Sequence, residues 1–224
     1  MRTILFDFDG TVADTLPLIF TAFRSTFQRF LHKHYTDEQI IALFGPTETG
    51  IVKKELPPHE HDSGLEHFFA AYTDEHLRLH NPPEVTQMLE QLRNAGFQLG
   101  IVTGKGSRSA EISLREWKLD GYFDIVITGD DVTDPKPHPE GILLAMQKLG
   151  ADPRETIYVG DSDADVIAGR AAGLQTVGVN WLAVTQKGGK FDPAPDYLFT
   201  DVQSFVNWIL SLENLAPPGF VAEP

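Results

Sequence analysis

Two aspartates near the start of the chain could act together. Asp7 and Asp9 lie in the segment Asp7-Phe8-Asp9-Gly10-Thr11, where the strand-like apolar run 3–8 comes to an end. Because the strand is ending, both carboxylates can turn into one site, where such a pair could bind a metal ion, attack an electrophile or transfer a proton. Asp and Gly also favour ordinary turns, so this segment does not by itself establish a site.

Two further predicted strand ends carry polar groups suited to an anion. Thr103 and Gly104 follow the apolar run 97–102 and offer a hydroxyl and a backbone that can approach an anion, although the threonine could simply cap the next helix. Lys136 lies between two prolines, which fix the backbone and could direct the ammonium inward. The alternative for Lys136 is a solvated side chain in a proline-rich turn.

A fourth strand end is rich in acid. Asp161, Asp163 and Asp165 fall within five residues after the apolar run 156–160. Three carboxylates this close repel one another unless a cation or capping amides compensate, so one interpretation is a site for a hard metal ion. The other is a helix N-terminus in which the helix dipole favours Asp.

The elements that carry these residues alternate along the chain. Segments of helical periodicity separate the strand-like runs, and this alternation predicts an α/β fold with a Rossmann-like, doubly wound parallel sheet. Such sheets bind ligands at the carboxyl ends of their strands, where the polar residues fall. The runs span residues 3–8, 97–102, 124–128, 156–160 and 175–179, with a weaker one at 196–199.

One long stretch interrupts the alternation. Residues 16–80 contain apolar stripes of helical spacing and no strand-like run, which predicts a helical domain inserted after the first strand. The predicted core then comprises residues 1–15 and 81–212, rejoined through a proline-containing linker. Residues 213–224 contain three prolines and little periodicity, so we expect a loose tail.

Composition excludes several classes of protein. The 224 residues include 18 basic and 32 acidic side chains, for a net charge of −14, which argues against a nucleic-acid partner. No apolar run is long enough to span a bilayer and no secretory leader is visible, so we expect no membrane partner and a cytoplasmic protein. The absence of cysteine excludes disulfides and thiolate chemistry.

These residues, in this order, resemble the haloacid dehalogenase-like hydrolase superfamily, and specifically its phosphatases with a helical cap inserted after the first strand. The resemblance covers about residues 1–210, and its four motifs match residues 7–11, Thr103, Lys136 and residues 160–165. It implies that Asp7 is a nucleophile that forms an aspartyl-phosphate. It also implies that Asp9 protonates the leaving alkoxide and then activates water, whereas dehalogenase members lack an acid there.

The resemblance further implies a magnesium cofactor. The ion would be held by the Asp7 carboxylate, the Asp9 main-chain carbonyl and Asp161, with Asp165 as a ligand or a support. This chemistry is physically consistent, because a carboxylate can approach an anionic phosphate ester only when cations neutralise the charge. Thr103 and Lys136 would hold the phosphoryl group, Thr11 and Gly104 are further candidates for substrate binding, and we expect a cis peptide bond between Lys136 and Pro137.

Selection of the leaving group is expected in the cap. The Gly-Pro segment within residues 45–50 resembles that of phosphoglycolate and pyrophosphate phosphatases and makes Thr47, Glu48 and Lys53 candidates, although an ordinary turn explains it equally well. The leading hypothesis is a magnesium-dependent phosphatase for a small phosphorylated metabolite, with phosphoglycolate as the best single guess. Alternatives are a phosphosugar mutase of the β-phosphoglucomutase kind, a pyrophosphatase, or an inactive binding protein on the same fold. We expect a monomer or weak dimer.

Overall fold

A twisted parallel sheet organises the part of the chain that the computed structural model describes, residues 1–186 and 188–214. Its six strands in this part follow the order β3-β2-β1-β4-β5-β6, and every neighbouring pair is parallel. The order reverses between β1 and β4, so the predicted doubly wound α/β class is confirmed. The strands are β1 (Thr3–Phe6), β2 (Gln98–Val102), β3 (Ile125–Ile127), β4 (Thr156–Gly160), β5 (Gln175–Val179) and β6 (Tyr197–Phe199).

Helices cover both faces of this sheet. The helices of the described residues are α1 (Leu16–Leu31), α2 (Asp37–Ile41), α3 (Glu48–Glu55), α4 (His61–His76), α5 (Pro83–Asn94), α6 (Ser107–Glu116), α7 (Glu140–Leu149), α8 (Asp163–Ala171) and α9 (Val202–Asn214). Helices α5, α6 and α9 lie on one face and α7 and α8 on the other, whereas α1 to α4 belong to the stretch 16–80. Alternate strand residues point to opposite faces, so Phe6 packs with Phe205 of α9 on one side while Leu5 packs with Ile142 of α7 on the other. Burial on both faces explains why the strands are almost continuously apolar in sequence.

Residues 16–80 form helices and no strand in this fully described stretch, as their spacing predicted. Helices α1 and α4 pack against each other through aromatic side chains, with 4.6 Å between the ring centroids of Phe23 and Phe68. Ile112 of α6 joins the same apolar cluster, so this helical segment also rests on the core.

Two connections join the helical segment to the core. Asn81 accepts a hydrogen bond from the Asp14 amide (3.1 Å) and donates one to the Val12 carbonyl (3.0 Å). The indole of Trp181 donates to the Thr11 carbonyl at 2.8 Å. The Asn81 bonds therefore join the two linkers to each other just after Asp7 and Asp9, and the Trp181 bond fixes the first linker to the core.

The described part of the chain ends in a helix. Helix α9 runs to Asn214, so the first two residues of the expected tail are helical, and residues 215–224 lie outside the described residues. Within the described residues, no helix combines the length and apolar character needed to cross a membrane.

Candidate active site

The carboxyl ends of β1, β2 and β4 meet at one edge of the sheet. Phe6 pairs with Ile101 on one side and Val159 on the other, so the residues after each strand emerge at nearly the same level. A cavity of about 430 Å³ opens at this edge. Its lining includes Asp7, Asp9, Thr103, Gly104 and Lys136 from the core, and Ile19, Phe44, Glu48 and Ile51 from the helical segment.

Lys136 lies between two carboxylates at the floor of the cavity. Its ammonium is 2.7 Å from Oδ1 of Asp7 and 2.6 Å from Oδ1 of Asp165, and it donates to the Tyr158 hydroxyl at 3.2 Å. Burial disfavours the ammonium, but Asp165 and Asp7 outweigh that effect and raise the pKa of Lys136 well above its usual value. The peptide bond between Lys136 and Pro137 is cis, which confirms that prediction.

Asp165 is held by the start of α8. Its Oδ2 accepts hydrogen bonds from the Ser162 amide (3.0 Å) and hydroxyl (2.6 Å), in a capping box that closes the helix N-terminus. The carboxylate sits so close to Gly160 that a Cβ there would collide with it. Both Asp165 oxygens therefore already accept from protein groups, which suits a support better than a direct metal ligand.

Asp161 is buried and only half satisfied. Its Oδ2 accepts from the Gln186 amide at 2.6 Å, but its Oδ1 has no hydrogen-bond partner among the described residues. Gly10, at a φ of +79°, passes so close to this carboxylate that no side chain would fit there. A buried carboxylate oxygen without a partner lowers the stability of the fold, and a bound cation would supply that partner.

The acidic residues of this edge fit a hard divalent cation. One carboxylate oxygen from each of Asp7, Asp161 and Asp165 lies within 4.8 Å of the others. Burial raises the pKa of Asp7 to about 7, with Lys136 opposing and Asp165 adding to the rise. Burial, then Asp7 and Asp165, raise the pKa of Asp161 well above its usual value. Further positive charge would favour the ionised forms of Asp7 and Asp161, and oxygen ligands of this kind suit magnesium.

Asp9 faces a different set of partners. Its Oδ1 accepts from the Thr15 hydroxyl and from the Lys105 ammonium, the latter at 3.0 Å. Its carboxylate is not part of the cluster around Asp161, so any role in metal binding falls to its main-chain carbonyl, which stays a prediction. The carboxylate lines the cavity and is 13% exposed, which suits proton transfer.

The candidates for phosphoryl binding differ in their access. Thr103 and Gly104 line the cavity, and the Thr103 hydroxyl accepts from the Lys105 amide at 3.2 Å. Thr11 is fully buried outside the lining, and its hydroxyl has no partner among the described residues. The structure thus brings Thr103 and Gly104 to Asp7, but not the Thr11 side chain.

The candidates from the helical segment also separate. Thr47 caps α3 by accepting from the Gly50 amide at 3.4 Å, and it does not line the cavity. Glu48 reaches the cavity, but both its oxygens accept from the β2–α6 loop, namely from Lys105 (3.1 Å) and the Gly106 amide (2.8 Å). Lys53 is exposed on α3 and is not brought to the cavity.

Lys105 is a site residue to which sequence reasoning assigned no role. Its side chain is fully buried between Asp9 and Glu48, with its ammonium 4.8 Å from the centroid of the Tyr72 ring. Burial works against the ammonium, but Asp9, Tyr72 and Glu48 together raise the pKa of Lys105 well above its usual value. The available signal was its position just after a strand end, which it shares with the predicted site residues.

Comparisons with known proteins identify the family of this chain. A family model described as haloacid dehalogenase-like hydrolase matches residues 4–179. The pyrophosphatase PpaX of Oceanobacillus iheyensis is 34% identical over 212 residues, which cover 92% of this chain and 95% of that protein.

Solved structures show the same fold. A protein described as a predicted phosphoglycolate phosphatase from Haemophilus somnus 129pt has a TM-score of 0.80 at 22% identity, covering 93% of this chain and 98% of its own. That identity supports the fold alone. A protein described as a haloacid dehalogenase-like hydrolase from Bacteroides fragilis has a TM-score of 0.73 at 31% identity, covering 91% and 99%.

Proposed function

The chain belongs to the haloacid dehalogenase-like hydrolase family and is a phosphatase, and we propose that it hydrolyses a small phosphorylated metabolite through an aspartyl-phosphate on Asp7, with magnesium as cofactor. The observation that carries this proposal is the Asp7 carboxylate on the cavity floor, between the Lys136 ammonium at 2.7 Å and the carboxylates of Asp161 and Asp165. A nucleophile, a fixed cation and a cation-binding cluster lie together where a phosphate ester could enter.

In the first step, a carboxylate oxygen of Asp7 attacks phosphorus and the bond from phosphorus to the leaving oxygen breaks. Asp9 supplies the proton that the departing oxygen takes up. Lys136, with Thr103 and Gly104, binds the oxygens of the transferring group and lowers the cost of bringing a carboxylate to an anion.

In the second step, Asp9 removes a proton from water as the water oxygen attacks phosphorus. The bond between phosphorus and Asp7 breaks, which releases inorganic phosphate and restores the carboxylate. Asp161, Asp7 and the Asp9 carbonyl would hold magnesium, which when bound supplies positive charge to the carboxylates and phosphoryl oxygens.

We propose that residues 16–80 act as a cap over a core of residues 1–15 and 81–212. Ile19, Phe44 and Ile51 contribute to the lining of the cavity, together with Glu48. The cavity volume of about 430 Å³ suits a small metabolite. The leaving group would meet a wall that is mainly apolar.

Two substrates lead the candidates. The Gly45-Pro46 segment resembles that of both phosphoglycolate and pyrophosphate phosphatases, and the relative named pyrophosphatase PpaX, at 34% identity, adds support for pyrophosphate. Both are small enough for the cavity, and both would leave an anion that Asp9 can protonate.

The test is phosphate release over a panel of phosphoglycolate, pyrophosphate, sugar phosphates and nucleotides, with magnesium and with a chelator. We expect magnesium-dependent release, with the highest kcat/KM for one of the two leading candidates. An Asp7→Asn variant should lose on the order of 10³-fold in kcat, while Asp163→Asn, a neighbouring acid outside the cluster, should change little. Wild-type turnover in Asp7→Asn would overturn the nucleophile assignment, and isomerisation primed by a sugar bisphosphate would favour the mutase alternative.

A further inference from the structure

Lys105 is a sealed cation that joins two distant parts of the chain. None of its side chain is exposed. Its ammonium lies 3.0 Å from Oδ1 of Asp9 and 3.1 Å from Oε1 of Glu48, which are 96 and 57 residues away. Lys105 lines the cavity, but its side chain is 0% exposed against 4% for the whole residue, so only its main chain is exposed. The buried ammonium does not meet a diffusing ligand directly, and its charge acts through the carboxylates that it contacts.

On the core side, Lys105 determines how Asp9 is presented. The Asp9 Oδ1 accepts from both Lys105 and the Thr15 hydroxyl, so Oδ2 is the oxygen left to exchange a proton with substrate or water. Rotation of a carboxylate about its terminal torsion is otherwise soft. Because two donors bind Oδ1 of Asp9, they also fix the direction in which Oδ2 points.

On the cap side, Lys105 and its loop engage Glu48 completely. Oε1 accepts from Lys105 and Oε2 accepts from the Gly106 amide at 2.8 Å, and Glu48 is itself buried at the first residue of α3. The start of α3 is thereby bonded to the loop that follows β2. The same Lys105 ammonium therefore contacts both the helical segment, through Glu48, and the Asp9 carboxylate.

We propose that Lys105 is a positioning residue for the proposed phosphatase reaction, holding the Asp9 carboxylate for proton transfer while Glu48 of the cap is seated on the same ammonium. This inference rests on the proposed function. It differs from a purely structural role because it makes the effect of Lys105 depend on how much the leaving group needs a proton. An alkoxide needs protonation as it departs, whereas p-nitrophenolate, the anion of an acidic phenol, needs little.

The experiment compares Lys105→Met with wild type on phosphoglycolate and on p-nitrophenyl phosphate. Rapid mixing with the aryl ester measures the burst of p-nitrophenolate, which reports the first bond cleavage before water attacks. We expect kcat for phosphoglycolate to fall on the order of 10²-fold with KM nearly unchanged, and the aryl burst rate to fall less than about tenfold. Lys148→Met, at an exposed lysine of α7, should match wild type.

Equal losses on both esters would overturn the proposal, and so would no loss on either. A wild-type protein that hydrolyses no phosphate ester would instead overturn the proposed function, so the two failures are distinguishable. Because Lys105→Met removes the ammonium from between two largely buried carboxylates, the double variant Lys105→Met with Glu48→Gln is measured as well. We expect it to recover thermal stability but not phosphoglycolate turnover. Recovery of both together would mean that Lys105 only stabilises the fold.

Discussion

Two buried lysines mark the two sides of the proposed site, one that we assign to the phosphoryl group and one that we assign to the leaving group. Lys136 lies between Asp7 and Asp165 with a tyrosine beside it, and Lys105 lies between Asp9 and Glu48 with another tyrosine beside it. The Lys136 side chain is 12% exposed and lies at the cavity floor, whereas that of Lys105 is fully buried.

This difference in access separates two uses of the same charged group. A cation that borders the cavity can contact the oxygens of a substrate and stabilise charge as it develops on phosphorus. A sealed cation can only orient its neighbours. The two lysines also differ in their anchors, since the partners of Lys136 both belong to the core, while Lys105 shares its ammonium between core and helical segment.

The largest expected effect is that of replacing Lys136. Lys136→Met removes the ammonium beside Asp7, so we expect kcat to fall on the order of 10³-fold. The loss should be similar for phosphoglycolate and p-nitrophenyl phosphate, because charge on the phosphoryl group develops with either leaving group. Steady-state rates with both esters check this, with circular dichroism to verify folding. A loss of kcat for phosphoglycolate alone would mean that Lys136 acts on the leaving group, as proposed for Lys105, and would contradict its assignment to the phosphoryl group.

A second prediction addresses the cation cluster on the Lys136 side. Asp161→Asn removes the carboxylate whose Oδ1 has no partner among the described residues, and we expect magnesium affinity to fall about 100-fold or more. Isothermal titration calorimetry of the folded variant measures this without substrate. Asp163→Asn is the matched control. Unchanged affinity in Asp161→Asn would remove Asp161 from the metal site.

The same cluster predicts how stability depends on pH. Burial raises the pKa of Asp7 from 3.8 to about 7, so between these values the folded protein binds more protons than the unfolded chain. Its contribution to stability is therefore present below about pH 4 and is lost as pH rises towards 7. Magnesium should offset this loss, because it binds the deprotonated cluster.

Thermal melts test this at pH 5.5 and pH 8, with magnesium or with a chelator. We expect magnesium to raise Tm by several degrees more at pH 8 than at pH 5.5. Asp7→Asn should flatten the pH dependence of the melts made with chelator. An equal effect of magnesium at both pH values would mean that proton binding and metal binding are not linked at this cluster.

The two sides also differ in how far the sequence could predict them. Asp7, Thr103, Lys136 and Asp161 each follow a strand or precede a helix, and parallel strands bring such positions to one edge whatever else the chain does. The alternation of strands and helices, the helical stretch and this edge could therefore be inferred from periodicity and from the motifs.

Apart from Asp9, the leaving-group side could not be inferred in the same way. The contact between Lys105 and Glu48 depends on where α3 packs against the β2–α6 loop, which no local pattern encodes. Glu48 was a candidate for binding substrate, yet both its oxygens accept from the protein, and Lys53 stays in solvent. Tertiary packing assigns the partners of such side chains, and residue type indicates only that they are polar.

The smallest expected effects come from replacing the two tyrosines, one beside each lysine. The Tyr158 hydroxyl donates to the Val102 carbonyl at 2.7 Å and accepts from Lys136, whereas the Tyr72 hydroxyl bonds to Ser113 at 2.8 Å and its ring faces Lys105. Tyr158→Phe leaves a buried carbonyl unpaired, at about 1–3 kcal/mol, and frees the Lys136 ammonium to shift. We expect kcat to fall about tenfold.

Tyr72→Phe keeps the ring beside Lys105, so kcat should change less than about threefold. The values of kcat and Tm are measured in parallel for the two variants. A larger loss of kcat in Tyr72→Phe than in Tyr158→Phe would contradict the assignment of phosphoryl contact to Lys136 and of orientation to Lys105.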